Sequence, residues 1–445
     1  MTEIDAKDDV LGRARVRESA ELTEYYKDLA EIDTGALWTV ANDIEPWEPT
    51  PKSDPIIWRH SDLRKQVLRA IDLVRPEDAG RRVIYLRNPK RQDVSAACGW
   101  LFSGIQVMKA GEKAGAHRHA ASALRFIMEG TGAYTIVDGH KVELGCRDFV
   151  ITPNGTWHEH GISEDGSTCI WQDGLDIPLT NALEANFYEV HPENHQSSNL
   201  PTNDSPFTYG APGLMPALDK WDKPYSPLLK FSWEPTYEAL KNYSKVTDGS
   251  PYDGVIMRYI NPQTGSDPML TMGAQMQMLR PTEHTKSHRH TGNIIYQVAK
   301  GNGYSIIDGR RFDWTEKDIF CVPSWTWHEH CNNNKNEDSC LFSFNDLPVM
   351  QKLGFYKEQP FPENNDGWKN QAIQRKFLLE CLNFASKDDY VFFSDPDEIP
   401  NPNLLINFEL KKKYGIFFQD CFNYKFNLFN PFETPWEGTR VAQKK

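Results

Sequence analysis

The feature of this sequence that most constrains its fold is an internal repeat with a spacing of 170 to 173 residues. The stretch Trp157-His158-Glu159-His160 returns intact as Trp327-His328-Glu329-His330. The other matches are His117-x-His119 with His288-x-His290, Asp138-Gly139 with Asp308-Gly309, Asp148 with Asp318, and Asn88-Pro89 with Asn261-Pro262. Chance does not supply so many matches at one period, so the sequence predicts two homologous domains in one chain.

Within the first copy, short apolar runs alternate with turns from Trp100 to Pro178. Asp138-Gly139 is a dipeptide typical of a two-residue hairpin turn. Short strands at this spacing favour a small antiparallel barrel or jelly roll. We therefore expect an all-β protein with two barrels in tandem.

The remaining segments differ in composition from the barrels. We predict a helical and irregular N-terminal arm over residues 1–75, a first barrel over 76–180, a connection over 181–250, a second barrel over 251–357, and a separate C-terminal segment over 362–445. The connection is rich in proline, asparagine and serine, which indicates irregular structure.

Charge and cysteine usage exclude several classes of protein. The net charge of −13 comes with no basic stripe, so we expect no nucleic-acid partner. No apolar run reaches membrane-spanning length, so we expect no membrane partner either. The acidic N-terminus shows no secretory signal, and the eight cysteines include no C-x-x-C. These features predict a reduced, cytoplasmic protein.

Three histidines of the first copy have the spacing of a metal site. His117 and His119 lie two residues apart, so on an extended strand both imidazoles point to the same face. His158 follows 39 residues after His119, far enough to return on a neighbouring strand. Three imidazoles leave coordination positions open on a first-row transition metal. The alternative is that these are unrelated surface or core histidines.

The residues around these histidines resemble a known family. G-x5-H-x-H followed by G-x2-D-x4-P-x-G-x2-H is similar to the two motifs of the cupin barrel, without its usual glutamate. The stretches H-R-H-A-A-S-A-L-R-F-I-M-E-G-T-G, T-P-N-G-T-W-H-E-H and W-Q-D-G-L-D-I-P resemble the gentisate and salicylate 1,2-dioxygenases over residues 10–357. This bicupin family implies Fe(II) at His117, His119 and His158, a homotetramer, and ring cleavage of a small aromatic hydroxy acid by O2. Gentisate would give maleylpyruvate, with salicylate and 1-hydroxy-2-naphthoate as alternatives.

The resemblance also implies roles for residues near the metal. Arg125 would bind the substrate carboxylate, with Arg82 as a second candidate. His160 would take the phenolic proton or steer the substrate, so His160 and Arg125 are the predicted catalytic residues. Gln106 would contact substrate, and Asp173 would hold a neighbouring side chain in place. The alternatives are surface salt bridges for the two arginines and ordinary barrel packing for Gln106 and Asp173.

The second copy keeps its own three histidines, His288, His290 and His328, so a second metal ion is an expectation of the sequence. However, Tyr296 stands at the position of Arg125, and Ser343 at the position of Asp173. A second substrate site is therefore not expected, and a structural metal or a vestigial site are the alternatives.

The C-terminal segment resembles part of the β-1,4-N-acetylglucosaminyltransferase family that makes bisecting GlcNAc. The stretch F-S-D-P-D-E-I-P-N-P carries this likeness, and Asp395 and Asp397 are a weak candidate cation pair. The family's preceding strands are missing, so we expect a partial α/β fragment, either a fusion remnant or a joining error in the gene. Two other functions thus stay open, a non-catalytic metal-binding cupin and a glycosyltransferase.

Overall fold

The computed structural model describes residues 19–198, 200–218 and 221–362, Ser386, and strand residues 390–393, 414–419 and 436–443. The chain divides into two compact units, Val40–Phe361 and a second unit made of Met1–Thr39 with Pro362–Lys445. The first unit contains both barrels. No helix in the described part of the chain has the length and apolar character needed to cross a bilayer.

The first copy of the repeat opens with a short strand and a helix and continues as a run of antiparallel strands. Its strands are β1 (Ile56–Trp58), β2 (Val83–Tyr85), β3 (Phe102–Met108), β4 (Lys113–His119), β5 (Ala123–Glu129), β6 (Ala133–Val137), β7 (His140–Leu144), β8 (Phe149–Thr152), β9 (His158–Ile162) and β10 (Cys169–Leu175). Its helices are Leu37–Ile44, His60–Leu73, Pro76–Ala79 and Ile177–Ala182.

The predicted connection carries regular elements of its own. They are β11 (Tyr188–Val190), helix Asp204–Tyr209, β12 (Lys230–Phe231) and helix Trp233–Tyr243. The second copy then supplies β13 (Val255–Arg258), β14 (Gly273–Leu279), β15 (His288–His290), β16 (Ile294–Lys300), β17 (Asn302–Ile307), β18 (Arg310–Thr315), β19 (Ile319–Val322), β20 (His328–Asn332), β21 (Ser339–Asn345), helix Leu347–Lys352 and β22 (Glu358–Pro360).

Each barrel consists of a six-stranded and a five-stranded sheet with the same strand order. The sheets of the first barrel run β12-β8-β5-β10-β3-β2 and β11-β4-β9-β6-β7. Those of the second run β1-β19-β16-β21-β14-β13 and β18-β17-β20-β15-β22. The all-β architecture of two tandem barrels is therefore confirmed.

The two copies exchange their first strands. In the arm, β1 pairs antiparallel with β19 of the second barrel. In the connection, β12 pairs antiparallel with β8 of the first barrel. The arm and the connection thus each supply a strand to a barrel. We propose that each barrel domain includes the strand that it receives.

In each barrel, a repeated aspartate caps the helix that follows the exchanged strand. Asp318 Oδ1 accepts a hydrogen bond from the backbone N of His60 at 2.8 Å, and Asp148 Oδ1 accepts one from the backbone N of Trp233 at 3.0 Å. Both carboxylates are buried. A helix N-terminus has unpaired N–H groups and a partial positive charge, so a carboxylate there is stabilising.

The backs of the two six-stranded sheets share one hydrophobic core. Phe126 of β5 stacks on Phe342 of β21, with ring centroids 4.1 Å apart. Side chains on the other face of each sheet fill the barrel interiors, among them Ile127 and Trp171 in the first and Val298 and Leu341 in the second. Because strand residues alternate between faces, one set of strands serves both cores.

In the second unit, helix Ala20–Glu31 begins at Ser19, whose Oγ accepts a hydrogen bond from Leu22 N at 3.2 Å. Its other described elements form a three-stranded sheet of order β23-β25-β24, made of β23 (Tyr390–Phe393), β24 (Tyr414–Gln419) and β25 (Trp436–Gln443). The predicted cation pair Asp395 and Asp397, which follows β23, lies outside the described residues.

Candidate metal centre

Two neighbouring strands bring the histidines of the first barrel together. His117 and His119 lie on one face of β4, and β9 pairs with β4 so that His158 stands directly opposite His117. One ring nitrogen from each histidine lies within 4.8 Å of the others, and all three side chains are buried.

Backbone carbonyls fix the orientation of these three rings. The Nδ1 atoms of His117, His119 and His158 lie 2.8, 2.7 and 2.9 Å from the carbonyl oxygens of Gly115, Ala121 and Thr156. A carbonyl only accepts, so each Nδ1 carries the proton and each Nε2 keeps its lone pair. The three Nε2 atoms are buried without a hydrogen-bond partner among the described residues. A metal ion would satisfy all of them.

Protonation does not compete with metal binding at this site. Burial, aided by the nearby positive charge of Arg81, lowers the pKa of His117 to about 3. Burial likewise lowers the pKa of His119 to about 4 and that of His158 well below its usual value. Neutral imidazole is the metal-binding form, so the donor set fits a transition-metal ion.

His160 lies on the same face of β9 as His158, with ring centroids 5.5 Å apart. Its Nδ1 is 2.9 Å from Thr135 Oγ1, and its buried Nε2 has no hydrogen-bond partner in the described part of the chain. Burial, followed by the charge of Arg125, lowers its pKa well below the usual range. The ring is therefore neutral at neutral pH.

Arg125 and Asp173 are opposite residues of β5 and β10 and face the barrel interior. Arg125 Nε lies 3.2 Å from Asp173 Oδ1, and Nη1 donates to Thr152 Oγ1 at 2.7 Å. Burial lowers the pKa of Arg125 to about 10, despite the opposing effect of Asp173. Burial raises the pKa of Asp173 in spite of Arg125. This buried ion pair places a guanidinium near the histidines.

Gln106 stands opposite Trp171, a residue of the first barrel's interior, whereas Arg82 has an ion-pair partner of its own. Gln106 on β3 has both amide atoms buried without a hydrogen-bond partner among the described residues. Arg82 is buried in an ion pair with Glu112 instead. Its neighbour Arg81 is the arginine whose positive charge lowers the pKa of His117. Arg81 was not among the residues predicted from the sequence, and the signal for it was its position beside Arg82, just before β2.

The second barrel assembles its three histidines in the same way. His288 stands opposite His328 on β15 and β20, and one ring nitrogen from each of His288, His290 and His328 lies within 4.8 Å of the others. Tyr296 pairs with Ser343 where Arg125 pairs with Asp173 in the first barrel. The predicted correspondence between the two copies is thus seen in the strand register.

Comparisons with known proteins agree with this architecture. The model of the cupin domain matches residues 104–178 and 275–344. The chain is 35% identical over 338 residues to gentisate 1,2 dioxygenase 1 of Aquipseudomonas alcaligenes, covering 76% of this chain and 96% of the relative. It is also 35% identical over 346 residues to 5-aminosalicylate 1,2-dioxygenase of Comamonas sp, covering 77% of this chain and 91% of the relative.

Among solved structures, the chain is similar to salicylate 1,2-dioxygenase from Pseudoaminobacter salicylatoxidans in its adducts with gentisate. The TM-score is 0.74 at 28% sequence identity, and the match covers 80% of this chain and 98% of the other. These findings do not support the glycosyltransferase resemblance of the C-terminal segment.

Proposed function

The chain belongs to the family of gentisate and salicylate 1,2-dioxygenases, which are ring-cleaving dioxygenases of hydroxybenzoates, and we propose that its own substrate is gentisate and its metal Fe(II). The observation that carries this proposal is the set of three buried, neutral histidines beside Arg125, whose Nε2 atoms have no hydrogen-bond partner among the described residues. The alternative of a non-catalytic cupin gives no reason for a buried guanidinium at that position.

His117, His119 and His158 would hold the ion. Three imidazoles suit ferrous iron and leave open positions for a chelating substrate and dioxygen. When bound, the ion would supply the electron transfer between ring and oxygen, with the carboxylate and adjacent hydroxyl of a 2-hydroxybenzoate as its ligands. The reaction would insert both oxygen atoms of O2 between the two ring carbons that bear these groups, giving maleylpyruvate from gentisate.

The arginines would set the charge of the substrate that enters. Arg125 is already paired with Asp173, so this pair is close to neutral. Arg81 supplies additional positive charge, which lowers the pKa of both His117 and His119. A planar guanidinium matches a carboxylate better than an ammonium would. Arg125 and Arg81 would thus bind the carboxylate, and Asp173 would orient Arg125.

His160 would handle the phenolic proton. In the tautomer in which Nδ1 donates to Thr135 Oγ1, the Nε2 lone pair is available to accept that proton. An imidazolium beside Arg125 is costly, as the lowered pKa indicates, so the proton is held only while an anionic substrate offsets the charge. The amide of Gln106, which has no hydrogen-bond partner in the described part of the chain, would donate to a substrate oxygen.

We also propose a homotetramer, with apolar contacts near this site. Leu183, Tyr188 and Val190 are exposed, and the ring of Tyr188 stacks on His117 with centroids 5.4 Å apart. Exposed apolar side chains grouped in this way are typical of protein interfaces. Sedimentation velocity of the full chain would test the tetramer.

Oxygen uptake with gentisate, salicylate, 5-aminosalicylate and 1-hydroxy-2-naphthoate tests the substrate. Each assay uses the full chain, loaded anaerobically with Fe(II), and identifies the product by mass. The proposal predicts the highest kcat/KM for gentisate and a product that contains both oxygen atoms of labelled O2. Iron binding without oxygen uptake on any of these acids would support the non-catalytic cupin.

A further inference from the structure

The second barrel also contains three buried histidines whose ring nitrogens could hold a metal ion. His290 Nδ1 lies 3.1 Å from the carbonyl oxygen of Thr291, and His328 Nδ1 lies 2.9 Å from that of Thr326. Their Nε2 atoms therefore keep their lone pairs. His288 Nε2 is buried without a hydrogen-bond partner among the described residues.

The charges around the two clusters are opposite in sign. In the first barrel, the histidines lie near the positive charges of Arg81 and Arg125. In the second barrel, Asp253 Oδ1 lies 3.8 Å from His288 Nε2, and Glu358 Oε1 lies 3.3 Å from His288 Nδ1. The neutral pair Tyr296 and Ser343 replaces Arg125 and Asp173. Such surroundings attract a cation and repel a carboxylate.

Asp253 is held in place toward this cluster. Its Oδ2 accepts from Ser250 Oγ at 2.9 Å, and its backbone carbonyl accepts from Gln277 Nε2 at 2.8 Å. The three histidines form the ligand group, and the Asp253 carboxylate lies close enough to His288 to balance the charge of an ion held there.

We propose that the second barrel binds one divalent first-row transition-metal ion through His288, His290 and His328, with the Asp253 carboxylate balancing its charge. This site holds metal without taking the carboxylated substrate. It stands independently of the choice of gentisate as substrate, since it rests only on residues of the second barrel.

The competing arrangement needs no metal. His288 lies between two carboxylates, so a protonated imidazolium could pair with Glu358 and Asp253 at once. In that case the carboxylates would serve the histidine, and no ion would bind. The two arrangements differ in metal stoichiometry, which can be measured without any turnover.

Cobalt titration of the metal-free full chain separates them. In a His119→Ala background the first site is broken, and Co(II) binding is followed anaerobically by its visible absorption and by elemental analysis. We expect one Co(II) per chain, and none after His288→Ala and His290→Ala are added. Asp253→Asn should weaken binding about 10- to 100-fold, as loss of a metal's supporting carboxylate does.

Asp313→Asn is the matched control, because Asp313 is an exposed carboxylate of the same barrel that pairs with Arg311. It should leave the cobalt affinity unchanged. Absence of cobalt in the His119→Ala chain, or an unchanged affinity in Asp253→Asn, would overturn the proposal. Melting curves with chelator present identify any variant that has simply unfolded. Oxygen uptake by the wild-type chain tests the proposed substrate separately.

Discussion

At the scale of single residues, His119 separates metal binding from folding. Its Nδ1 bonds only a backbone carbonyl, and its Nε2 has no hydrogen-bond partner among the described residues, so His119→Ala removes a metal ligand and little else. We expect ring cleavage to fall below detection and bound iron to drop by one per chain. Oxygen uptake, elemental analysis and circular dichroism are the measurements.

His284→Ala is a suitable control for that variant. This histidine is half exposed and pairs with Glu329 in the second barrel, away from the first cluster. Its loss should leave both activity and iron unchanged. Turnover at the wild-type rate in His119→Ala would refute the assignment of the metal site.

Arg81 and Arg82 provide a second comparison between neighbours. Arg81→Ala should raise KM for gentisate about 10-fold, which corresponds to about 1.4 kcal/mol of lost binding. Arg82→Ala should leave KM unchanged but lower stability by about 1–3 kcal/mol, because Glu112 loses its buried partner. Steady-state kinetics and urea unfolding distinguish the two effects, and the reverse result would contradict our assignment.

Arg81 and Arg82 also show which properties of single residues can be predicted from the sequence. The spacing of His117, His119 and His158 predicts a shared metal because strand alternation and one hairpin determine where they point. The choice between Arg81 and Arg82 depends on how the segment just before β2 is placed. That placement follows from the pairing of Val83 with Gln106, which no local pattern reveals.

At the scale of elements, Asp318 and Asp148 stabilise the exchanged strands. Asp318→Ala should lower the free energy of unfolding by about 1–2 kcal/mol, because His60 N and Arg59 lose their acceptor. Asp148→Ala should have a similar effect through Trp233 N and Lys230. Urea unfolding measures both, and the double variant should be additive to within about 0.5 kcal/mol, since the sites share no partner.

Asp313→Asn on β18 controls for the loss of a negative charge and should leave stability within about 0.5 kcal/mol of the wild type. Equal losses in Asp313→Asn and Asp318→Ala would contradict the capping role. The internal repeat identifies both aspartates as equivalent positions in the sequence. Their partners could not be predicted, because each caps a helix that belongs to the other copy.

At the scale of the whole molecule, the end of the second barrel can be located by truncation. The sequence places it at Lys357, but β22 continues to Pro360 and pairs with β15, which carries His288 and His290. A chain ended after Pro362 should keep full dioxygenase activity. A chain ended after Lys357 should lose the strand beside these histidines and melt at a lower temperature.

Oxygen uptake and thermal unfolding of both truncated chains are the measurements, with the full chain as reference. Loss of activity in the chain that ends after Pro362 would mean that the C-terminal segment supports the barrels. The full chain should transfer no sugar from a UDP-sugar donor. The repeat and the strand pattern predict two barrels, whereas β22 is too short and too polar to be recognised without its partner.

The exchange of β1 and β12 has a consequence for synthesis on the ribosome. Ile319, the partner of Trp58 in the antiparallel register, lies 261 residues further along the chain. At about 5–20 residues per second, the nascent chain carries this apolar strand unpaired for roughly 13–52 s. The first barrel also stays incomplete until Lys230 and Phe231 emerge. Folding of the two barrels is therefore completed late in synthesis. Until then the unpaired strand β1 is a natural target for chaperones.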